Sequence, residues 1–143
     1  MLGPRGSRIV DAGVFRRLVL ARDFLSDAYD APFSLKDAAA VAGMSSFHFL
    51  RCFSRVFGET PGDYVQRLRL ARARERLARG AAVTDVCFDV GYSSLGTFSA
   101  LFSRRMGMPP SAWQKQVRRQ VAVPEALARL YIPCCYFPGL PAR

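Results

Sequence analysis

Residues 83–113 read VTDVCFDVGYSSLGTFSALFSRRMGMPPSAW and decide the fold of this chain. A short helical pattern of apolar residues ends at Gly91, and a second one follows Ser93 and Ser94 at three- and four-residue steps. A sharp turn between two helices needs a residue at positive φ, which glycine adopts without a steric clash. The serine oxygens can accept hydrogen bonds from the first N–H groups of the next helix. The stretch therefore predicts a helix-turn-helix unit.

The same pattern occurs once earlier in the chain. Gly43 precedes Gly91 by 48 positions, whereas Gly58 precedes Gly107 by 49. We therefore expect two copies of the unit, the second with one extra residue inside its second helix. Units of about fifty residues are too small to be fully independent, so we expect them to share a helix.

The shared helix is predicted to run from Pro61 to about Arg79. Thr60 and Pro61 favour its start, and Gly80 favours its end. Its apolar residues fall on two sides, as a helix between two subdomains requires: Leu70, Ala73 and Leu77 on one, and Tyr64, Leu68 and Ala71 on the other. It also carries six arginines, most of which we expect on a solvated face: Arg67, Arg69, Arg72, Arg74, Arg76 and Arg79.

The chain of 143 residues is strongly basic, with 21 Lys and Arg against 11 Asp and Glu and a net charge of +10. This charge favours a polyanionic partner, because cations that neutralise phosphates release condensed counterions. Only Lys36 and Lys115 are lysines, and the planar arginine group can bind guanine or phosphate at two points. A basic protein with no nucleic-acid role is the alternative on charge alone.

Other classes of function find little support in the sequence. The four cysteines lack C-x-x-C spacing and His48 is the single histidine, so we expect no metal, no cofactor, no disulfide framework and no enzymatic activity. We expect His48 on a helix surface or near a phosphate. No stretch approaches the roughly 18 apolar residues of a membrane span, and no signal peptide is recognisable, which predicts a cytoplasmic protein without membrane contact.

Two stretches, GMSSFHFLRCFSRVFGETPGDYV (43–65) and DVGYSSLGTFSALFSRRMGMPPSAW (89–113), resemble the DNA-binding domain of AraC/XylS-type bacterial transcription regulators. The resemblance extends over both copies of the repeat. It implies an all-α fold of about seven helices, in which two helix-turn-helix subdomains are joined by a long linker helix. We accordingly expect a DNA-binding domain over 13–120, divided into a first subdomain, the linker helix and a second subdomain at 13–60, 61–80 and 81–120.

The two ends of the chain complete the expected organisation. Residues 1–12 are expected to form a flexible arm. Residues 121–143 are apolar but interrupted by prolines. We expect this tail to pack on the second subdomain, because its large apolar side chains are costly to leave in water; binding to a partner and disorder are the alternatives.

The resemblance further implies that the second helix of each unit enters a major groove, and that the two grooves are successive on one face of the DNA. Base contacts are then expected from Phe47, Leu50, Arg51, Leu95, Gly96, Thr97 and Ser99. Phosphate contacts are expected from Ser46, His48, Arg55, Ser94, Arg104 and Arg105. The family usually has arginine where this chain has Ala100. We therefore expect weaker base readout by the second unit.

These expectations describe a sequence-specific transcription regulator, by resemblance more often an activator, that binds double-stranded DNA as a monomer. A non-specific or architectural DNA-binding protein is the alternative, favoured by the net charge and by Ala100. We expect no sensor domain with a small-molecule pocket in this chain. We expect regulation by abundance or by a partner such as RNA polymerase, or else a truncated relative of a longer regulator.

Overall fold

The computed structural model describes residues 11–121, which form seven α-helices and no β-strand. This result confirms the predicted all-α fold class. Asp11 caps the first helix, and Ala12 and Val121 belong to helices, so the helical part extends slightly beyond the predicted limits. The rest of the predicted arm and tail lies outside the described residues. The helices are α1 Ala12–Asp27, α2 Leu35–Val41, α3 Ser46–Phe57, α4 Pro61–Ala78, α5 Val83–Asp89, α6 Leu95–Met106 and α7 Pro110–Val121.

The first unit packs α1, α2 and α3 against the N-terminal half of α4. Phe49 and Phe53 are fully buried in its core, with ring centroids 5.4 Å apart. Leu18 of α1 is also fully buried there. The hydroxyl of Tyr64 lies 2.6 Å from Oγ of Ser26, so the polar end of this mostly buried ring has a partner.

The second unit packs α5, α6 and α7 against the C-terminal half of α4. Phe98 and Phe102 are fully buried, with centroids 5.8 Å apart, and the ring of Trp113 lies 6.1 Å from that of Phe102. Gln114 of α7 donates hydrogen bonds to two backbone carbonyls at the end of α4 and just beyond it. Burial raises the pKa of the Cys87 thiol, which stays protonated and packs as a small apolar group.

Helix α4 belongs to both cores, as its two apolar sides predict. Tyr64 and Val65 are buried in the first core, and Leu70 and Ala73 in the second. Ala71, predicted on the same apolar side as Tyr64 and Leu68, is exposed instead. The 18 residues of α4 span about 27 Å at 1.5 Å per residue.

The two units differ in the length of their turns. Helices α3 and α6 both contain 12 residues, whereas four residues, 42–45, connect α2 to α3 and five, 90–94, connect α5 to α6. The prediction of an extra residue inside the second helix is therefore wrong. An insertion there would rotate every later side chain by about 100° and take Phe102 out of the core, whereas a surface turn absorbs it at little cost. The two helices consequently align from their first residue at an offset of 49.

Candidate nucleic-acid interface

Helix α3 exposes two large side chains on the face opposite its core residues. Burial of Phe49 and Phe53 fixes the rotation of the helix about its axis and leaves Phe47 and Arg51 outward. Phe47 is 69% exposed, and the guanidinium carbon of Arg51 lies 5.5 Å from the centre of its ring. A cation at this distance over an aromatic face is weakly attracted to it. The contact therefore favours one position of the Arg51 side chain.

The other residues predicted on α3 lie around this pair. His48 and Arg55 are exposed, whereas Ser46 and Leu50 are half-buried. The cap of the helix is Ser45, whose Oγ accepts a hydrogen bond from the backbone N–H of His48 at 3.3 Å. This cap fixes the first turn of α3, which carries Ser46, Phe47 and His48.

Helix α6 exposes a surface of smaller side chains. Leu95 is 39% exposed, Gly96 and Thr97 are exposed, and Ser99 is half-buried. Ser94 caps the helix, since its Oγ accepts from the N–H of Thr97 at 3.4 Å. The predicted second group of base contacts is therefore brought together on the outer side of the first two turns.

The offset between α3 and α6 pairs their outward positions one by one. Gly96 occupies the position of Phe47, and Ala100, which is exposed, occupies the position of Arg51. The second helix therefore lacks both of the large outward side chains of the first. The lack of a long side chain, already expected at Ala100, thus extends to Gly96.

The arginines of the two helices differ in their surroundings. Among residues 11–121, Arg51, Arg55 and Arg104 are exposed and form no ion pair. Arg105 instead turns toward α4, where its Nη2 lies 3.4 Å from Oε1 of Gln66. Of the two predicted phosphate contacts near the end of α6, Arg104 is thus the one without a competing partner in the described part of the chain.

The arginines of α4 fulfil the expectation of a solvated face with one exception. Five are exposed, several of them with acidic partners, and the hydrogen bond that Arg67 donates to Glu59 raises the pKa of the Arg67 guanidinium. Arg69 is half-buried and donates hydrogen bonds to the carbonyls of Tyr29, Ala31 and Gly91. No spacing or composition in the sequence distinguishes Arg69 from the other five.

Tyr92 lies beneath the guanidinium of Arg69, whose central carbon is 5.3 Å from the ring centre. Burial raises the pKa of the Tyr92 phenol above its ordinary value, although the nearby Arg69 cation opposes the shift. The phenol is therefore neutral at physiological pH, and its ring face serves as an apolar support for the cation.

The described residues show neither a metal-binding cluster nor a membrane-spanning helix. In the described range 11–121, no group of three or more His, Cys, Asp and Glu residues is arranged to hold a metal ion. No helix in that range is long and apolar enough to cross a membrane. The exposed side chains of α3 and α6 form the candidate site, and we refer to these two helices as the recognition helices.

Known proteins share the sequence pattern that produces this arrangement. Residues 38–116 match the family model described as a helix-turn-helix domain. The regulatory protein SoxS of Escherichia coli (strain K12) is 30% identical over 95 residues, which cover 66% of this chain and 89% of SoxS. The right origin-binding protein of the same strain is 30% identical over 105 residues, covering 73% of this chain and 35% of that protein.

A solved structure shares the fold. The DNA-binding domain of AdpA, a global transcriptional factor crystallised in complex with a target DNA, has a TM-score of 0.69 at 24% identity, covering 73% of this chain and 95% of that domain. The chain spans only 26% to 35% of the length of several curated relatives, whereas it spans most of SoxS. From the family model and the likeness to SoxS, the chain belongs to the AraC/XylS-type family of helix-turn-helix DNA-binding transcription regulators.

Proposed function

We propose that this protein regulates transcription by sequence-specific binding to double-stranded DNA, with α3 and α6 inserted in successive major grooves. The observation that carries the proposal is the outward pair Phe47 and Arg51 on a helix held in place by a buried core. Arginine forms two hydrogen bonds with guanine, and phenylalanine contacts the thymine methyl group, both in the major groove. Side chains ordered before binding lose less entropy when they bind.

The dimensions of the molecule agree with two-groove binding. Successive major grooves on one face of DNA lie roughly 34 Å apart. Helix α4 spans about 27 Å, and the recognition helices pack against opposite halves of it. A linker of this length is of the same order as the distance between the two grooves. Since one chain supplies both recognition helices, we propose that it binds as a monomer.

The remaining contacts follow from exposure. We propose that Leu50 assists Phe47 and Arg51, and that Leu95, Gly96, Thr97 and Ser99 approach the bases of the second groove. Phosphates would be contacted by Ser46, His48, Arg55, Ser94 and Arg104, with a smaller contribution from Arg105 because it is turned toward α4. Phosphate contacts of this kind fix the register of a protein on DNA, whereas base contacts determine its specificity.

The regulatory role is proposed from the family. We propose an activator that acts in the cytoplasm and contacts RNA polymerase, because regulators of this type more often activate than repress. Helices α1 and α5, outside the recognition helices, also expose apolar side chains, among them Leu20 at 59% and Phe88 at 60% exposure. Such residues are available for contact with another protein.

A second candidate function is non-specific or architectural DNA binding. Gly96 and Ala100 favour it, because they leave α6 without long side chains to read bases. Competition binding separates the two functions. A sequence-specific regulator should prefer a site selected from random duplexes over unrelated DNA by roughly 10³ or more at physiological salt. An architectural protein should show no such preference.

Two variants that each remove one positive charge test the assignment of contacts. Arg51→Ala should relax the preference at one base pair by about 1–3 kcal/mol and leave the others unchanged. Arg104→Ala should weaken binding to all sequences alike and reduce the salt slope by about one. Fluorescence anisotropy with a panel of singly substituted duplexes measures both effects. A uniform loss for Arg51→Ala would contradict its proposed contact with a base.

A further inference from the structure

We propose that Arg69 is a positioning residue that holds the two recognition helices at one separation and orientation, and so sets the half-site spacing that the protein accepts on DNA. The inference rests on the proposed binding of α3 and α6 in two grooves. It concerns a side chain that lies in α4, between the two buried cores.

The guanidinium of Arg69 binds backbone atoms of both units at once. Its Nε donates to the carbonyl oxygen of Tyr29 at 2.6 Å and its Nη2 to that of Ala31 at 2.7 Å, both in the connection between α1 and α2. Its Nη1 donates to the carbonyl of Gly91 at 3.1 Å, in the turn that leads into α6. One planar, permanently charged group thus joins the first unit, the linker helix and the second unit.

The two backbones that Arg69 joins also touch each other directly. A Cβ built on Gly91 would lie 2.3 Å from the carbonyl oxygen of Asp30, which stands between the two carbonyls bound by Arg69 in the first unit. Only a glycine permits this approach, and its φ of 87° independently requires one. The segment 28–31 and the turn 90–94 are therefore held face to face, with the guanidinium of Arg69 bonded to both.

The position of Gly91 connects this contact to the recognition helix. The turn 90–94 ends at Ser94, the cap of α6, so a shift of the turn moves the start of α6. The other described polar contacts between α6 and the half of α4 that packs in the first unit both come from the exposed Arg105. They are a hydrogen bond to Gln66 at 3.4 Å and an ion pair with Asp63 at 3.9 Å, both longer than the bonds of Arg69. Arg69 is therefore the main polar restraint on the angle between the two units.

A fixed angle has a measurable consequence on DNA. Each added base pair moves the second half-site by about 3.4 Å and rotates it by about 35° around the duplex. A rigid pair of recognition helices can bind both half-sites at only one such spacing. A flexible pair can follow several, at the cost of a lower effective concentration for the second contact.

The test uses the intact protein and a site selected from random duplexes. Derivatives of that site have their two halves moved together or apart by one to three base pairs, and affinities are measured by anisotropy. For the wild-type protein, a shift of two base pairs should lose base contacts of the second half-site, each worth roughly 5- to 150-fold in affinity. Each half-site is also measured alone.

Arg69→Met retains an apolar stem over Tyr92 and removes all three hydrogen bonds. We expect its preference among spacings to fall to about threefold or less, as for a flexibly linked pair of contacts. Its affinity for each isolated half-site should equal that of the wild type. Arg69→Lys, a point charge that cannot form the planar fork, should give an intermediate spacing preference. Arg79→Met removes the same charge from the exposed end of α4 and should keep the wild-type profile.

Each contrary outcome has a separate meaning. A wild-type spacing preference that persists in Arg69→Met overturns the positioning role and leaves the proposed function intact. Loss of folding in both Arg69→Met and Arg69→Lys also overturns it, since Arg69 would then act through stability alone. If the wild-type protein itself binds all spacings equally, two-groove binding fails, and the inference built on it fails as well.

Discussion

Replacing Gly91 by alanine should destabilise the protein much more than the same replacement of Gly43. Both glycines occupy the turn of a helix-turn-helix unit at positive φ, 87° and 62° respectively. A Cβ at Gly43 would lie 3.8 Å from Nη1 of Arg17, an ordinary van der Waals contact, whereas a Cβ at Gly91 would lie 2.3 Å from the carbonyl oxygen of Asp30. Gly43→Ala is therefore a matched control for the strain of the turn itself.

The magnitude follows from these distances. Alanine in the left-handed region costs about 1 kcal/mol, and this cost applies at both positions. At Gly91 the backbone at Asp30 must also retreat by about an ångström to reach ordinary contact, and forced displacements of packed atoms cost about 1–3 kcal/mol. The retreat would stretch the hydrogen bonds of Arg69 to Tyr29 and Ala31. We expect Gly91→Ala to lower the free energy of unfolding by about 2–4 kcal/mol and Gly43→Ala by about 1 kcal/mol.

Urea unfolding followed by far-UV circular dichroism measures both variants under the same conditions. The linear dependence of the unfolding free energy on urea concentration gives each stability, and an unchanged slope would show that the unfolded states are comparable. Equal costs for the two variants, within about 0.5 kcal/mol, would refute the reasoning. The backbone around Asp30 would then move at no measurable cost in free energy, and Arg69 could not hold a fixed angle between the units.

Three further changes test the roles of individual side chains. Phe47→Ala should weaken DNA binding, measured by anisotropy, while it changes the free energy of unfolding by less than about 0.5 kcal/mol. Phe53→Ala, in the core, should lower the free energy of unfolding by about 3–5 kcal/mol in urea unfolding. Ser45→Ala should cost about 1 kcal/mol in urea unfolding because it removes the cap of α3, and Ser93→Ala, with no cap bond in the described chain, should cost almost nothing. Ala100→Arg should add about 1–3 kcal/mol of discrimination at one base pair of the second half-site, visible in selection from random duplexes.

Most of the fold can be predicted because periodicity and helix ends report directly on local structure. The three- and four-residue spacing that places Phe49 and Phe53 together, and likewise Phe98 and Phe102, yields the two buried aromatic pairs of the structure. The two apolar sides of α4 likewise predict its position between the cores. These patterns act within a few turns of one helix, where sequence neighbours are also neighbours in space.

The sequence does not show which element contains the extra residue of the second unit, and the reason is local. Both units contain two adjacent serines before the second helix, and either serine of each pair has the chemistry of a cap. Composition cannot tell which one stands at the helix start. In the structure it is Ser45, the first of its pair, and Ser94, the second of its pair. The outward positions of α3 and α6 can be paired correctly only after that choice is made.

The role of Arg69 cannot be predicted from the sequence, because its partners are backbone carbonyls 22 to 40 positions away. A carbonyl oxygen is present at every residue, so no residue type marks Tyr29, Ala31 or Gly91 as an acceptor. The segment between α1 and α2 also lacks any periodic pattern that would predict its path. Contacts between a long side chain and an irregular backbone segment therefore emerge only from the assembled fold.

The asymmetry of the two recognition helices gives a reason for such a contact to exist. Helix α6 has Gly96 and Ala100 where α3 has Phe47 and Arg51, so alone it should bind DNA weakly. A weak contact adds appreciably to affinity when a stiff link presents it at its site, because the effective concentration is then high, and adds less when the link is flexible. Helix α6 should discriminate only weakly between bases. Rigid coupling through Arg69 would let it contribute to specificity through its fixed position in the second groove. By the same reasoning, Arg69→Met should reduce the contribution of α6 more than that of α3.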